Sequence, residues 1–202
     1  MRDWLRNLDT GFDKVYRRIE SRVSELPDSL IAHIERTRDL AERLADIHGV
    51  NPQRCSMGAI AHDLARHLTE SQLLVESQSS NITVNSYEYK APVLLHGPLA
   101  AHWLKSDLNC QDEEVINSVK YHTTGHPEMT DIEKIVFIAD KVEPDKVQRN
   151  PELELVVSRM EANLDATVLE YLKLRIGSIL DKKGVVHPLA IDTWNYFLQK
   201  NS

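Results

Sequence analysis

Cysteine is nearly absent: the 202-residue chain has two, Cys55 and Cys110. They form no CxxC pair and cannot build a disulfide framework, so a reducing, cytoplasmic setting is the expectation. No apolar stretch approaches the ~20 residues of a membrane span; the run before Asp140 extends only from Ile135 to Ala139. The start, Met1-Arg2-Asp3-Trp4, turns to charge at once and lacks the apolar core of a secretory leader. Basic residues are in deficit, 24 Lys and Arg against 31 Asp and Glu. A formal charge of −7 argues against a nucleic-acid partner, which selects a basic face. It leaves room for a small anion, because a metal and a few lysines reverse the potential inside one cleft. The seven glycines are never spaced for a dinucleotide fingerprint or a phosphate loop, and no Gly-x-Ser-x-Gly elbow is present. Alternating strand patterns, internal repeats and low-complexity stretches are missing too.

What is present is helical periodicity, and the expected fold class is all-α. From Asp28 to His48, Leu30, Ile34, Thr37, Ala41 and Leu44 form a stripe closed by Gly49. Asn51-Pro52 reads as an N-cap with proline at the first helical position. The helix expected after it runs through Arg66 and is apolar nearly all round, which places it at the centre. Thr69-Glu70-Ser71-Gln72 and Thr130-Asp131-Ile132-Glu133 fit capping boxes. Residues 77–91 read as a long polar loop. Further helices are expected from Gly97-Pro98 to about Leu104, from Asp112 to near Tyr121, from Asn150-Pro151 to about Asp181, and from Pro188 to Lys200.

A few polar residues keep unusual company. His62-Asp63 lies inside Gly58-Ala59-Ile60-Ala61-His62-Asp63-Leu64-Ala65, and Asp140 directly follows Ile135-Val136-Phe137-Ile138-Ala139. A carboxylate buried in such a setting costs several kcal/mol unless a cation or hydrogen-bond donors compensate it. Two of them near histidines point to a divalent metal, since imidazole and carboxylate together suit Zn, Fe or Mn. His33, one turn from Leu30 and Thr37, joins the same set. The plainer reading pairs Asp63 with Arg66 and Asp140 with Lys141. His96, just before a helix start, and His122, at a helix end in Tyr121-His122-Thr123-Thr124-Gly125, stand at termini where anions and catalytic groups collect. His48, His67, His102, His126 and His187 read as structural, and Cys55 as a small core residue.

The ordered set His33, His62-Asp63 and Asp140 resembles the HD superfamily of metal-dependent phosphohydrolases. The finer match is to the YqeK family, bacterial symmetrical diadenosine tetraphosphate hydrolases. It rests on His33-Ile34-Glu35-Arg36-Thr37, Ala61-His62-Asp63-Leu64-Ala65-Arg66, Leu94-Leu95-His96-Gly97-Pro98, Tyr121-His122-Thr123-Thr124-Gly125 and Ile138-Ala139-Asp140-Lys141-Val142-Glu143-Pro144. The resemblance implies an HD-type helical bundle with a metal held by His33, His62, Asp63 and Asp140, and a second ion, where present, on Asp63, His96 and His122. Iron is the implied metal, with Mn, Co or Zn as alternatives. Asp63, His96 and His122 are then the catalytic candidates; His33, Arg66, Thr123, Lys141 and Lys146 join them against a nucleotide polyphosphate, which would be cut to two ADP. Lys141 stands where many members have tyrosine, and Asp145-Lys146 where they have Gly-Arg; lysine holds a phosphate as a point charge without arginine's fork. Glu143 is placed to pair with Arg36 behind the metal ligands. The expected organisation is a helical segment over 1–27, the phosphohydrolase domain over 28–150, and a helical extension over 151–202 packed on it. That extension is read as packing or dimer surface, which leaves a homodimer open. The rival readings are another HD-type enzyme, a nucleoside monophosphate phosphatase or phosphodiesterase, and a catalytically idle nucleotide-binding module.

Overall fold

The computed structural model describes residues 10–200, so the charged start at Met1-Arg2-Asp3-Trp4 lies outside the described residues. Among these there are helices and turns but no strand. The α-helices are α1 (Thr10–Val23), α2 (Asp28–His48), α3 (Pro52–Ala61), α4 (Glu70–Ser79), α5 (Ser86–Lys90), α6 (His96–Ser106), α7 (Glu113–Lys120), α8 (Asp131–Val142), α9 (Pro144–Arg149), α10 (Glu154–Met160), α11 (Leu164–Asp181) and α12 (Pro188–Lys200).

Local chemistry sets most boundaries where the sequence places them. Gly49 ends α2 in the left-handed region at φ 69°, a conformation that side chains resist. Asn51 accepts from the N–H groups of Gln53 and Arg54 at the start of α3, and both expected capping boxes form, on α4 and α8. Three expectations are corrected. The helix expected through Arg66 stops at Ala61, and residues 62–67 continue as tight turns in which Leu64 N–H bonds Ala61 O and Arg66 N–H bonds Asp63 O. The expected loop over 77–91 instead carries the end of α4 and all of α5, the latter capped by Asn85. The stretch after Pro151 is not one helix: the chain breaks after α10, and the Asn163 side chain caps a fresh start at Ala166 N–H.

Two apolar clusters form the core. One joins α1, α4, α6 and α7; the other joins α8 to α10, α11 and α12; α2 and α3 contribute to both. α3 is buried from Cys55 to Ala61 and packs on α2, α7 and α8, the central position its all-round apolar surface requires. α11 lies along α8, with the Phe137 and Tyr171 rings edge to face at 5.4 Å and Lys134 paired with Asp165 at 2.6 Å.

Candidate metal centre

Three of the four clustered histidines are positioned by one local device. The His62 Nδ1 lies 2.6 Å from Ala59 O, the His122 Nδ1 lies 2.7 Å from Val119 O, and the His96 Nδ1 contacts Val93 O. In each, Nδ1–H donates to the carbonyl three residues back, one of the orphan acceptors at the end of a helical turn. His62 follows α3, His122 follows α7 by two residues, and His96 follows the 3-10 turn Pro92–Leu95. The fourth, His33 on α2, turns Nδ1 to Glu143 Oε1 at 3.3 Å. Fixing the proton on Nδ1 leaves the Nε2 lone pair free, the second-partner arrangement usual for ligating histidines.

All four Nε2 atoms converge on the carboxylates. Asp63 Oδ2 lies 3.4 Å from His62 Nε2 and 3.7 Å from His33 Nε2, while its other oxygen, Oδ1, lies 3.1 Å from His96 Nε2 and 3.6 Å from His122 Nε2. Asp140 Oδ1 completes the first half at 3.2 Å from His33 and 3.6 Å from His62. Asp63 therefore stands between two donor sets, His33, His62 and Asp140 on one side and His96 and His122 on the other. The His96 and His122 Nε2 atoms face each other at 2.9 Å; two lone pairs so close repel unless a proton or cation lies against them. Mixed imidazole and carboxylate donors within this reach fit a divalent ion.

The electrostatics point the same way. Burial alone would raise the Asp63 carboxyl, but the charge of His62, with the His122 and His96 rings beside it, holds it well below the usual carboxylate range. Asp140 is likewise held down against burial, chiefly by Lys141 and Lys146. His62 is fully buried, which opposes its charge, yet the charges of Asp63 and Asp140 outweigh burial and push it up to about 10. The field that pulls a proton onto this imidazole is the field that attracts a cation. His122 is pushed down to about 4, mainly by burial, and stays neutral as a ligand must.

The plainer pairing holds for Asp140 and not for Asp63. Lys141 Nζ meets Asp140 Oδ2 at 2.5 Å and Lys146 Nζ meets Oδ1 at 2.6 Å, whereas the Arg66 side chain has no ion-pair partner among the described residues. Arg36 grips Glu143 through Nε at 2.6 Å, completing the brace behind His33. His126 pairs with Glu133 at 2.7 Å, away from the cluster, and His48 bonds Met160 O. Cys55 is buried and its thiol is pushed up to about 12 by desolvation, so it supplies no thiolate.

The cluster opens into a cleft of about 520 Å³. Of the residues expected to face a substrate, Asp63, Arg66, His96, His122, Thr123, Lys141 and Lys146 line it and His33 does not. Tyr171, Arg175 and Ser178 of α11, and Lys182 just past its end, also line it, and these the sequence reading missed. Their helical spacing was legible; that this face turns toward Asp63 depends on how α11 packs on α8.

The chain is similar to known proteins in both sequence and fold. The HD domain family model matches residues 30–145. The symmetrical bis(5'-nucleosyl)-tetraphosphatase of Halalkalibacterium halodurans is 31% identical over 77% of this chain and 81% of its own length. That of Staphylococcus aureus is 29% identical over 86% and 89%. A crystal structure of a predicted HD superfamily hydrolase involved in NAD metabolism, from Clostridium acetobutylicum, superposes with a TM-score of 0.86 at 25% identity, covering 92% of this chain and 97% of that one.

Proposed function

The chain belongs to the HD domain family, and on that premise we propose that it is a divalent-metal-dependent phosphohydrolase that cuts diadenosine tetraphosphate symmetrically into two ADP. The observation that carries the chemistry is the pair of donor sets on the two oxygens of Asp63; the substrate rests on the activity named for the tetraphosphatase relatives.

His33, His62, Asp63 and Asp140 would hold one ion, and Asp63, His96 and His122 a second. Iron is the proposed metal, with Mn, Co or Zn able to use the same donors. A bound divalent ion supplies Lewis-acid polarisation of a phosphoryl oxygen and lowers the pKa of water. The protein's own groups do the rest. Asp63 keeps both donor sets in one register, and the Nδ1 hydrogen bonds keep the rings from turning. Arg66, Lys141 and Lys146 oppose the charge of the polyphosphate, and Thr123 offers a hydroxyl beside them. The Lys146 ammonium, held at 2.6 Å by both Asp140 O and Oδ1, lines the cleft and would take a phosphate in place of the Asp140 carboxylate when that group holds a metal. No side-chain nucleophile is needed, and positioning decides which phosphorus is attacked. For the proposed extension over 151–202, support for a homodimer surface comes from exposed Leu180, Val185, Ile191 and Leu198.

The test is a panel of diadenosine tetraphosphate, nucleoside monophosphates and cyclic dinucleotides. It is run on protein loaded separately with Fe, Mn, Co and Zn, with products separated and identified. ADP alone is expected from the tetraphosphate. Equal ATP and AMP would mean asymmetric cleavage and overturn the reading; turnover confined to monophosphates or cyclic dinucleotides would move the enzyme elsewhere in the family.

A further inference from the structure

The family match ends at residue 145, yet one whole wall of the cleft comes from α11, beyond it. Tyr171, Arg175, Ser178 and Lys182 recur at helical spacing and share one face. Tyr171 marks the end near the metal cluster, since the Lys141 ammonium, paired with Asp140, lies 5.9 Å from its ring centre. From Tyr171 to Lys182 the helix rises about 16 Å, far more than one phosphate requires and suited to a phosphate chain with its nucleoside.

Arg66, Lys141, Lys146, Arg175 and Lys182 bring their charges to a cleft whose lining carboxylates, beyond Asp63 and Asp140, reduce to Glu152. In a chain of net charge −7 such a concentration is local and one-sided. Neither Arg175 nor Lys182 has an ion-pair partner among the described residues. Lys182 sits at the C-terminal end of α11 and there complements the helix dipole. Arg175, inside the helix and exposed, has no such role, and its planar fork suits a phosphate.

We propose that the α11 face is the subsite for the departing half of the substrate, a nucleoside diphosphate held by Arg175 and Lys182 with Ser178 between them. This rests on the symmetrical cut proposed above. In that cut a water oxygen forms the new bond to phosphorus, the bridging P–O bond breaks, and the departing diphosphate keeps the electron pair while the water's proton passes to solvent. The half attacked stays with the metal cluster; the half that leaves lies along α11. Selection for a dinucleotide thus comes from the appended helix, while the metal chemistry comes from the matched domain.

The experiment uses metal-loaded full chain, wild type and Arg175→Ala, Arg175→Lys and Arg175→Ala/Lys182→Ala, with diadenosine tetraphosphate kinetics and calorimetric titration of ADP. For Arg175→Ala the expected result is a KM raised about tenfold with kcat within about twofold, partly restored in Arg175→Lys. Wild type is expected to take up two ADP per chain and the double variant one. A KM within about twofold of wild type, with two ADP retained by the double variant, would overturn the subsite; so would a loss confined to kcat, which would put Arg175 at the reacting phosphorus. If wild type fails to cut the tetraphosphate, the proposed activity falls, while the ADP stoichiometry still decides whether α11 binds a nucleoside diphosphate.

Discussion

Each clustered histidine has one ring nitrogen engaged by the protein and one turned to the carboxylates, so its usefulness as a ligand depends on the partner behind it. For His62, His96 and His122 that partner is a backbone carbonyl and cannot be mutated away. For His33 it is Glu143, which is 1% exposed and held by Arg36 Nε at 2.6 Å. Removing the guanidinium leaves a buried carboxylate with a weakened hold and lets the His33 ring turn. Arg36→Ala should therefore lower metal affinity about 10- to 100-fold, read by competition against a chromophoric chelator, while kcat at saturating metal stays near wild type. Arg36→Lys should recover only part of the loss, because an ammonium lacks the planar fork with which Arg36 meets both Glu143 oxygens. Unchanged affinity in Arg36→Ala would mean that His33 is oriented by packing alone.

The same reasoning applies between elements at the start of α7. Asp112 accepts Val115 N–H as the N-cap and also takes Arg54 of α3 through both oxygens, at 2.6 and 2.5 Å. Burial raises its carboxyl, but the Arg54 hydrogen bonds and the capped backbone outweigh burial and lower it. A folded-state pKa below the unfolded one contributes stability that is present above the unfolded value, near 3.9, and lost as pH falls through the folded value. Asp112→Asn should thus cost about 1–2 kcal/mol at neutral pH, and its difference from wild type in urea midpoint should shrink as pH drops below about 4. A difference constant from pH 7 to 3 would show that the charge of Asp112 contributes nothing. Such elements were legible because their causes are local: Asn51-Pro52, Gly49, Thr69, Thr130 and Asp112 each act within one turn. The stop at Ala61 was not legible, since the apolar run continues to Ala65, while the backbone there turns through short bonds such as Leu64 N–H to Ala61 O and the His62 ring is held on Ala59 O. The break before Asn163 had a local signal, the side chain that caps Ala166, which the amphipathic pattern on both sides concealed. His33, His62, Asp63, Asp140, His96 and His122 could be named because polar groups in apolar or terminal settings stand out in one dimension. Arg175 and Lys182 could not, because an unpaired cation on an exposed helix face looks the same whether it faces solvent or a cleft.

Across the whole molecule the donors come from widely separated parts of the chain: His33 from α2, His62 and Asp63 from the turns after α3, His96 from the start of α6, His122 from beyond α7 and Asp140 from α8. The first core cluster contains α6 and α7, the second contains α8, and α2 and α3 belong to both, so an ion held as proposed would tie the two clusters together where they already share helices. Such sharing favours one cooperative unfolding transition, and an ion that binds only the folded chain must then stabilise all of it. At an ion concentration about 100 times Kd the linkage is worth about 2.7 kcal/mol. For a chain of this length that corresponds to a rise in Tm of roughly 5–10 °C. Melting curves in Mn(II) and in excess chelator should differ by this amount in wild type and should coincide in Asp63→Ala, which removes the one group common to both donor sets. In the metal-free chain Asp63 is itself paired with His62 and His96, so the variant's own Tm in chelator should fall below that of wild type, and the diagnostic quantity is the difference between Mn(II) and chelator. A full Mn(II)-dependent rise surviving in Asp63→Ala would put the stabilising ion somewhere other than between His33, His62, His96, His122 and Asp140.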